Sequence, residues 1–236
     1  MKNKLLILGT AAGVLCVSGA SHADGFYFQP HANLALYGSY MDQNDSQAGV
    51  DPAGAGGGAQ LGLSLTPNIF IGGSYQYNYL TESNGPASAV GLGGGQVSYG
   101  ERVDQGRVGG GLVFHTPLAP LDVFGKVEYV HYDYQVVHVN SGGASLGNAD
   151  RVNNDGVGFH VGVQTRFPGF SVYGSTGFLH LDNSEGPEFN VGFEVPVAPL
   201  TWGFVEYRYD DLHNTGSGYY DRTENDDVHA GVRMTF

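Results

Sequence analysis

Oppositely charged side chains stand two residues apart at two places in the chain: Lys126 with Glu128, and Glu206 with Arg208. Residues two apart lie on the same face of a β-strand, so each pair can form ion pairs on that face. Other single charges occupy the polar positions of alternating segments: Arg107, Arg166, Glu194 and Arg233. If these segments enclose a common interior, five cations meet three anions there. We interpret them as an ionic plug, because unpaired charges in an enclosed space are costly. A charged constriction with a slight preference for anions is the alternative.

A second group of residues could act on a proton or bind a metal. Asp211 and His213 stand two residues apart at the end of a segment, and the alternation of that segment directs both away from the interior. His31, His160 and His229 project from separate segments with no carboxylate at ligand spacing along the chain, so we interpret them as hydrogen-bonded interior residues. We therefore expect no catalytic residue, metal or cofactor, and no enzymatic activity.

Alternation of apolar and polar residues with a period of two runs through most of the chain, which predicts an all-β fold. The composition agrees, with 39 Gly, 15 Tyr and 13 Phe. Ten segments show the pattern: 30–41, 58–65, 69–80, 104–115, 121–139, 153–167, 170–181, 187–195, 200–210 and 227–236.

The connections between these segments alternate in length. Four are short: Thr66–Asn68, Thr116–Pro120, Pro168–Gly169 and Pro196–Pro199. Five are longer and polar, and begin near Asp42, Thr81, Asn140, Asp182 and Asp211. Short turns at one rim and long loops at the other are typical of a transmembrane barrel. The pattern predicts a single antiparallel up-and-down β-barrel of ten strands, with eight as the alternative.

The N-terminus has the features of a secretory signal peptide at residues 1–23, which leaves a barrel domain at residues 24–236. Lys2 and Lys4 precede an apolar run too short to cross a bilayer as a helix, and Ser21-His22-Ala23 fits a cleavage site. The only cysteine, Cys16, leaves with this segment, so the exported chain forms no disulfide. The formal net charge of −13 argues against nucleic acid and against anionic membrane surfaces as partners.

The end of the chain carries a family resemblance. In its last segment, 227–236, apolar residues alternate with polar residues and glycine. The segment ends in the motif Gly-x-x-Met-x-Phe, formed by Gly231, Met234 and Phe236. This ending resembles the C-terminal assembly signal of bacterial outer-membrane proteins. With its ten alternating segments and its alternating connections, residues 24–236 as a whole resemble the small bacterial outer-membrane β-barrel proteins of the opacity-protein and OmpA-like type, specifically a ten-stranded member. The resemblance implies a Gram-negative outer-membrane location and contacts with membrane lipid, lipopolysaccharide and the barrel-assembly machinery. The Asp211–His213 pair is similar to that of ten-stranded outer-membrane proteases, but the paired aspartates that accompany it there are not evident, because Asp42 and Asp45 are spaced wrongly.

We accordingly expect a structural or surface-interaction role, with short periplasmic turns and long acidic extracellular loops. A small porin-like channel is the first alternative, and an outer-membrane hydrolase is the second. We interpret the acidic residues of the loops as keeping an exposed surface soluble. The alternative is that they attract divalent cations that bridge to lipopolysaccharide phosphates. The sequence does not identify an extracellular ligand.

Overall fold

The computed structural model describes residues 32–44, 51–86, 96–116, 120–141, 144–147, 151–215 and 222–236. Within these ranges, no helix is long and apolar enough to cross a membrane. Eleven β-strands run through them: β1 Ala32–Asn44, β2 Ala53–Thr66, β3 Ile69–Pro86, β4 Gln96–His115, β5 Leu121–Ser141, β6 Ala144–Gly147, β7 Arg151–Phe167, β8 Phe170–Leu181, β9 Ser184–Ala198, β10 Thr201–Asn214 and β11 Arg222–Thr235.

Ten of the described strands form a closed antiparallel ring. Consecutive strands pair around it, β5 pairs with both β4 and β7, and β1 pairs with both β2 and β11. The short strand β6 pairs with the last residues of β5, Val139–Ser141, and is not part of the ring. Closure leaves no unpaired edge in the ring, which is the arrangement that satisfies every backbone group of such a sheet. The predicted ten-stranded up-and-down barrel is confirmed, and the eight-stranded alternative is wrong.

Tight turns join strands at one rim. Two-residue links connect β2 to β3 at Pro67–Asn68, β7 to β8 at Pro168–Gly169, and β9 to β10 at Pro199–Leu200. Gly169 has a φ of 92°, which a residue without a Cβ adopts at little cost. The β4–β5 connection lies partly outside the described residues, but Thr116 N donates to Leu121 O across 3.3 Å at its base.

The strands continue further toward the opposite rim than the sequence suggested. β4 begins at Gln96 rather than at Asp104, and β3 extends to Pro86. The long loop expected near Asp182 is wrong, because only Asp182–Asn183 separates β8 from β9. Strands that rise above an apolar band become polar on both faces, so their sequences resemble loops although their backbones remain paired.

The barrel places apolar side chains outside and polar side chains inside. Val161 is 62 % exposed on the outer surface, whereas Glu194 is 1 % exposed inside. Further apolar and tyrosine side chains on the outer face are exposed too, namely Leu63, Phe193, Val232, Tyr75, Tyr77, Tyr79, Tyr129 and Tyr207, while Tyr209 is partly buried. A protein folded in water shows the reverse distribution.

Inward-facing glycines make room for rings on neighbouring strands. A Cβ on Gly177 would lie 2.1 Å from Nδ1 of His160, and one on Gly192 would lie 2.1 Å from Cζ of Tyr173. These rings therefore lie flat against the sheet. The high glycine content thus determines which side chains can fill the interior.

Candidate functional site

The centre of the barrel interior, the lumen, is organised around Arg107 on β4. Its guanidinium donates to Glu128 Oε1 at 2.9 Å and to Glu188 Oε1 at 3.0 Å, and its Nη2 forms an ion pair with Glu188 Oε2 at 2.6 Å. It also donates to the Tyr132 hydroxyl at 3.0 Å, and this hydroxyl donates to Asp210 at 2.6 Å. One arginine therefore links β4 with β5, β9 and β10 through charge-assisted hydrogen bonds.

Glu128 extends this central network. Lys126 Nζ lies 2.9 Å from Glu128 Oε2, and His160 Nε2 lies 3.1 Å from Glu128 Oε1. Lys126 and Glu128 thus pair along one strand, as their spacing suggested. Among the ion-pair partners of Glu128, only Lys126 keeps part of its side chain exposed, at 15 %.

A second polar network surrounds Glu206 on β10. Its carboxylate lies 3.2 Å from His229 Nδ1 and 3.4 Å from Arg208 Nη2, and it accepts from the Tyr173 hydroxyl at 2.7 Å. Arg208 also donates to Gln105 across the lumen at 2.8 Å. The second expected pair, Glu206 with Arg208, therefore lies within a wider network rather than standing alone.

This second network continues to β11 and β3. His229 Nε2 lies 2.9 Å from Asp227, which accepts from Gln76 Nε2 at 2.5 Å. The ring of Tyr37 packs on His229 with centroids 4.6 Å apart. These contacts connect β11 to β1 and β3, across the point where the first and last strands close the ring.

The remaining expected charges lie nearer the tight-turn rim. Arg233 pairs with Glu194, and Arg166 Nη2 lies 3.1 Å from Asp122. Asp122 also contacts His115 Nδ1 at 2.9 Å, and this hydrogen bond raises the pKa of the imidazole at the rim. All eight charged residues selected from the sequence thus lie on inward positions, distributed among three groups.

The charge balance expected from the sequence is wrong. Within the described strands, further buried carboxylates face inward: Glu101, Asp122, Glu188, Asp210 and Asp227. The alternation of β9, β10 and β11 would have identified Glu188, Asp210 and Asp227 had it been extended by one step. The interior is therefore richer in acids than in bases, which removes the basis for a preference for anions.

Apolar layers lie on both sides of the charged networks. Toward the far rim, two adjoining clusters are joined by Tyr134 and contain Met41, Leu80, Val103, Val130, Tyr132, Leu179, Leu181 and Leu212. Toward the tight-turn rim, Phe70, Val113 and Phe124 form a third cluster. Leu80, Val130 and Leu179 are each 0 % exposed, so no solvent path reaches them.

A cavity of about 50 Å³ lies against β2 and β3 in the half of the lumen nearer the tight turns. The inward positions of β2 are mostly glycine, and Arg107, Lys126 and Arg208 are among the residues that reach it from other strands. A space of this size holds a few water molecules.

Glu128, His160 and Glu188 have ligand atoms close enough to hold a metal ion. The expectation that no carboxylate accompanies these histidines is therefore wrong for His160, whose two acids come from other strands. It is also wrong for His229, which lies 2.9 Å from Asp227 on its own strand. Arg107 Nη1 already lies within 3.0 Å of both carboxylates and neutralises them. A cation added here would have to displace the arginine. His31 lies outside the described residues.

The three residues of the C-terminal motif take distinct positions. Gly231 lies between Tyr37 of β1 and Phe204 of β10, and a Cβ there would lie 2.1 Å from Leu36 O. Met234 pairs with Leu34 in the strand that closes the ring. Phe236 N donates to Ala32 O at 2.8 Å, while its ring is 66 % exposed on the outer surface.

Asp211 and His213 point away from the lumen, near the upper end of β10. His213 Nε2 lies 3.6 Å from Asp211 Oδ1, and both Asp211 oxygens accept from Arg222 at 2.7 Å. The hydrogen bond from Arg222 lowers the pKa of the Asp211 carboxyl. This aspartate is held by arginine rather than directed toward a shared reaction centre.

No family model matches the chain, and no curated protein matches it. Solved structures with a similar overall shape include the attachment invasion locus protein Ail of Yersinia pestis. It has a TM-score of 0.45 and 9 % identity, over 89 % of this chain and 100 % of that one. The outer membrane protease OmpT of Escherichia coli gives 0.46 and 13 %, over 90 % and 99 %. The translocator domain of the autotransporter NalP of Neisseria meningitidis gives 0.48 and 14 %, over 87 % and 88 %. The fold follows from the strand pairing of this chain itself, which is a closed ten-stranded antiparallel barrel.

Proposed function

We propose that the chain is an integral outer-membrane barrel of a Gram-negative envelope, exported by the signal segment 1–23, with a structural or surface-interaction role. The observation that carries this proposal is the outer surface. Large apolar side chains are exposed all round the barrel, including Leu61, Val108, Phe159, Val191 and Val205. Contiguous apolar surface on this scale is stable against lipid and not against water.

The edge of the apolar band that faces the far rim, opposite the tight turns, supports a membrane location. Three outward tyrosines each donate to an aspartate on the next strand, two positions closer to the far rim. The pairs are Tyr75–Asp104, Tyr129–Asp155 and Tyr207–Asp226. Tyrosine is typical of the membrane–water interface, because its ring is apolar and its hydroxyl is polar.

The closed lumen favours the structural or surface role over the porin-like alternative. Ionic networks fill its middle, and buried apolar clusters lie above and below them. Conduction would require several networks and both apolar layers to rearrange together. The partners that fit the proposal are membrane lipid, lipopolysaccharide and the barrel-assembly machinery, with divalent cations at the acidic loops.

The test has two parts. Fractionation of cells that express the full chain should recover the protein in the outer membrane, and recovery as a soluble periplasmic monomer would contradict the proposal. Recording from the purified protein in planar bilayers should then show little or no steady conductance at neutral pH. A large, stable conductance would reject the closed lumen and favour the porin-like alternative.

A further inference from the structure

Two arginines face outward in one row across three neighbouring strands, on the far-rim side of the apolar band. Arg102 of β4 and Arg151 of β7 both pair in register with Gln135 of β5, which lies between them. The arginine side chains are 44 % and 59 % exposed. We call these three residues the Arg–Gln–Arg row. The chain has a formal net charge of −13, so two exposed cations in one row set this part of the surface apart.

A carboxylate holds each of these arginines at one edge of its guanidinium. Arg102 Nε donates to Asp104 at 2.5 Å, and Arg151 Nε lies 2.8 and 3.0 Å from the two oxygens of Asp133. The ring of Tyr77 packs against Arg102, with the guanidinium carbon 5.4 Å from the ring centroid. Both aspartate side chains are buried, whereas both arginines stay accessible. A guanidinium carries five N–H donors, so neither arginine is saturated by its carboxylate.

The row lies just beyond the tyrosines at the edge of the apolar band. Tyr75 donates its hydroxyl to Asp104, and Arg102 stands two residues closer to the far rim on the same strand. Outward tyrosines are typical of the membrane–water interface, so residues one step beyond them lie at the level of the lipid headgroups. The inference rests on the proposed function, in which the far rim faces the outer leaflet and its lipopolysaccharide.

The charges of the two arginines act on each other across the row. The hydrogen bond to Asp133 raises the pKa of the Arg151 guanidinium, and the positive charge of Arg102 opposes that rise. An anion that contacts both guanidinium groups would relieve this repulsion. A divalent cation would increase it. The row therefore favours an anionic partner, although most of the charged surface of the chain is acidic.

We propose that the Arg–Gln–Arg row binds a phosphate group of the lipopolysaccharide headgroup, with Arg102 and Arg151 donating to its oxygens from either side. Adjacent strands lie about 4.8 Å apart, so the two arginines stand roughly 10 Å apart at their backbones. Two charge-assisted hydrogen bonds of about 2.8 Å and the phosphate between them span most of that distance. Arginine suits this partner, because its planar fork donates to two phosphate oxygens at once.

Arg222 of β11 supplies a matched control. It also faces outward near the far rim, and its side chain is 37 % exposed. Two carboxylates hold it, because both Asp211 oxygens accept from it at 2.7 Å and Glu224 lies 2.8 Å from its Nη2. Within the described residues, no second arginine stands beside it. Arg222→Gln therefore makes the same change in charge as Arg102→Gln or Arg151→Gln, but outside the row.

The contact is tested by native mass spectrometry of the detergent-folded protein with added lipid A, the phosphorylated anchor of lipopolysaccharide. A chelator in the buffer removes divalent cations, so that acidic groups cannot bind the phosphates through them. Arg102→Gln and Arg151→Gln should each weaken binding, and the double variant should weaken it by about tenfold or more. Arg222→Gln should match the wild type. Circular dichroism should verify that every variant retains its strand content.

Lipid A without its phosphates separates headgroup recognition from the binding of acyl chains. The wild type should bind it about tenfold more weakly than lipid A, or weaker still. Equal binding of the two lipids would overturn the proposal, as would unchanged binding in the double variant. A loss in Arg222→Gln as large as that in Arg151→Gln would also overturn it, because net charge alone would then explain the effect.

Inorganic phosphate separates a lipid headgroup from free phosphate as the partner. At a concentration equal to that of lipid A it should not displace the lipid, and displacement would overturn the assignment to lipopolysaccharide. Cell fractionation tests the membrane location separately. Loss of the phosphate contact in a barrel that still reaches the outer membrane is therefore distinguishable from failure of the proposed function.

Discussion

Arg233 of β11 forms a buried ion pair with Glu194 of β9, reaching across the intervening strand β10. Both side chains are 2 % exposed, and the Arg233 guanidinium lies 5.0 Å from the ring centroid of Phe204. The last strand is thereby tied to a strand that it does not pair with. Closure of the barrel therefore depends on a side-chain contact as well as on backbone pairing.

Loss of one partner in this pair should cost more than loss of both. Arg233→Met leaves Glu194 buried without its cation and should lower the free energy of unfolding by about 3–5 kcal/mol. Arg233→Met combined with Glu194→Leu should recover much of that loss. Urea unfolding of protein reconstituted in lipid vesicles measures both values. Equal stabilities of the single and double variants would contradict the prediction that Glu194 is costly once its cation is removed.

Gly177 should tolerate no side chain. Alanine there would place a Cβ 2.1 Å from His160 Nδ1, and that ring cannot move away because it contacts Glu128. Gly177→Ala should therefore reduce the yield of folded barrel. Gly174→Ala on the same strand is the control, because its new Cβ would meet its nearest atom at 3.5 Å. Refolding yields in detergent compare the two, and equal yields would contradict the packing argument.

Period-two alternation was sufficient to predict the all-β ring and the faces of its strands. Lys126, Glu128, Glu206 and Arg208 lie inward because a strand fixes the face of every second residue. The partners of each charge could not be predicted in this way. Arg107 meets Glu188 on a strand distant in sequence, and that contact depends on the width of the barrel and on which interior positions are glycine.

The upper parts of the strands were the least predictable. Residues 96–103 extend β4 beyond the predicted start at Asp104, and the register of Glu185 with His180 depends on a two-residue link at Asp182–Asn183. Polar composition on both faces removes the alternation that marks a strand. Only the backbone pairing distinguishes such a strand from a loop.

The His115–Asp122 contact should make stability depend on pH at the tight-turn rim. The pKa of His115 is raised above its usual value of 6.5 by its hydrogen bond to Asp122. A raised folded-state pKa means that the stabilisation is fully present below the unfolded-state pKa and is lost as the pH rises through the raised value. His115→Asn should therefore be less stable than the wild type at about pH 5.5 and should approach it at about pH 9. Thermal unfolding at both pH values tests this, and a difference that does not vary with pH would contradict it.

Removal of Phe236 should impair assembly more than stability. The deletion removes one exposed aromatic ring from the outer surface. It also removes one backbone hydrogen bond, worth about 1 kcal/mol. If the assembly machinery recognises the terminal aromatic, the truncated chain should reach the outer membrane at reduced levels yet refold normally in vitro. Phe167→Ala is the control, since it removes an exposed outer aromatic at the tight-turn end of β7. Normal membrane levels of the truncated chain would count against this role.

A charge in the middle of the outer apolar band should be far more costly than one above it. Val161 lies on β7 between Phe159 and Val163 on the outer face and is 62 % exposed, so an arginine there would face acyl chains. Val161→Arg should lower the free energy of unfolding in lipid vesicles by about 2–4 kcal/mol. Asn153→Arg, on the same strand and outward-facing but nearer the far rim, should cost only about 0–1 kcal/mol. If the two variants were equally stable in lipid, the outer surface around Val161 would not be the membrane-facing band.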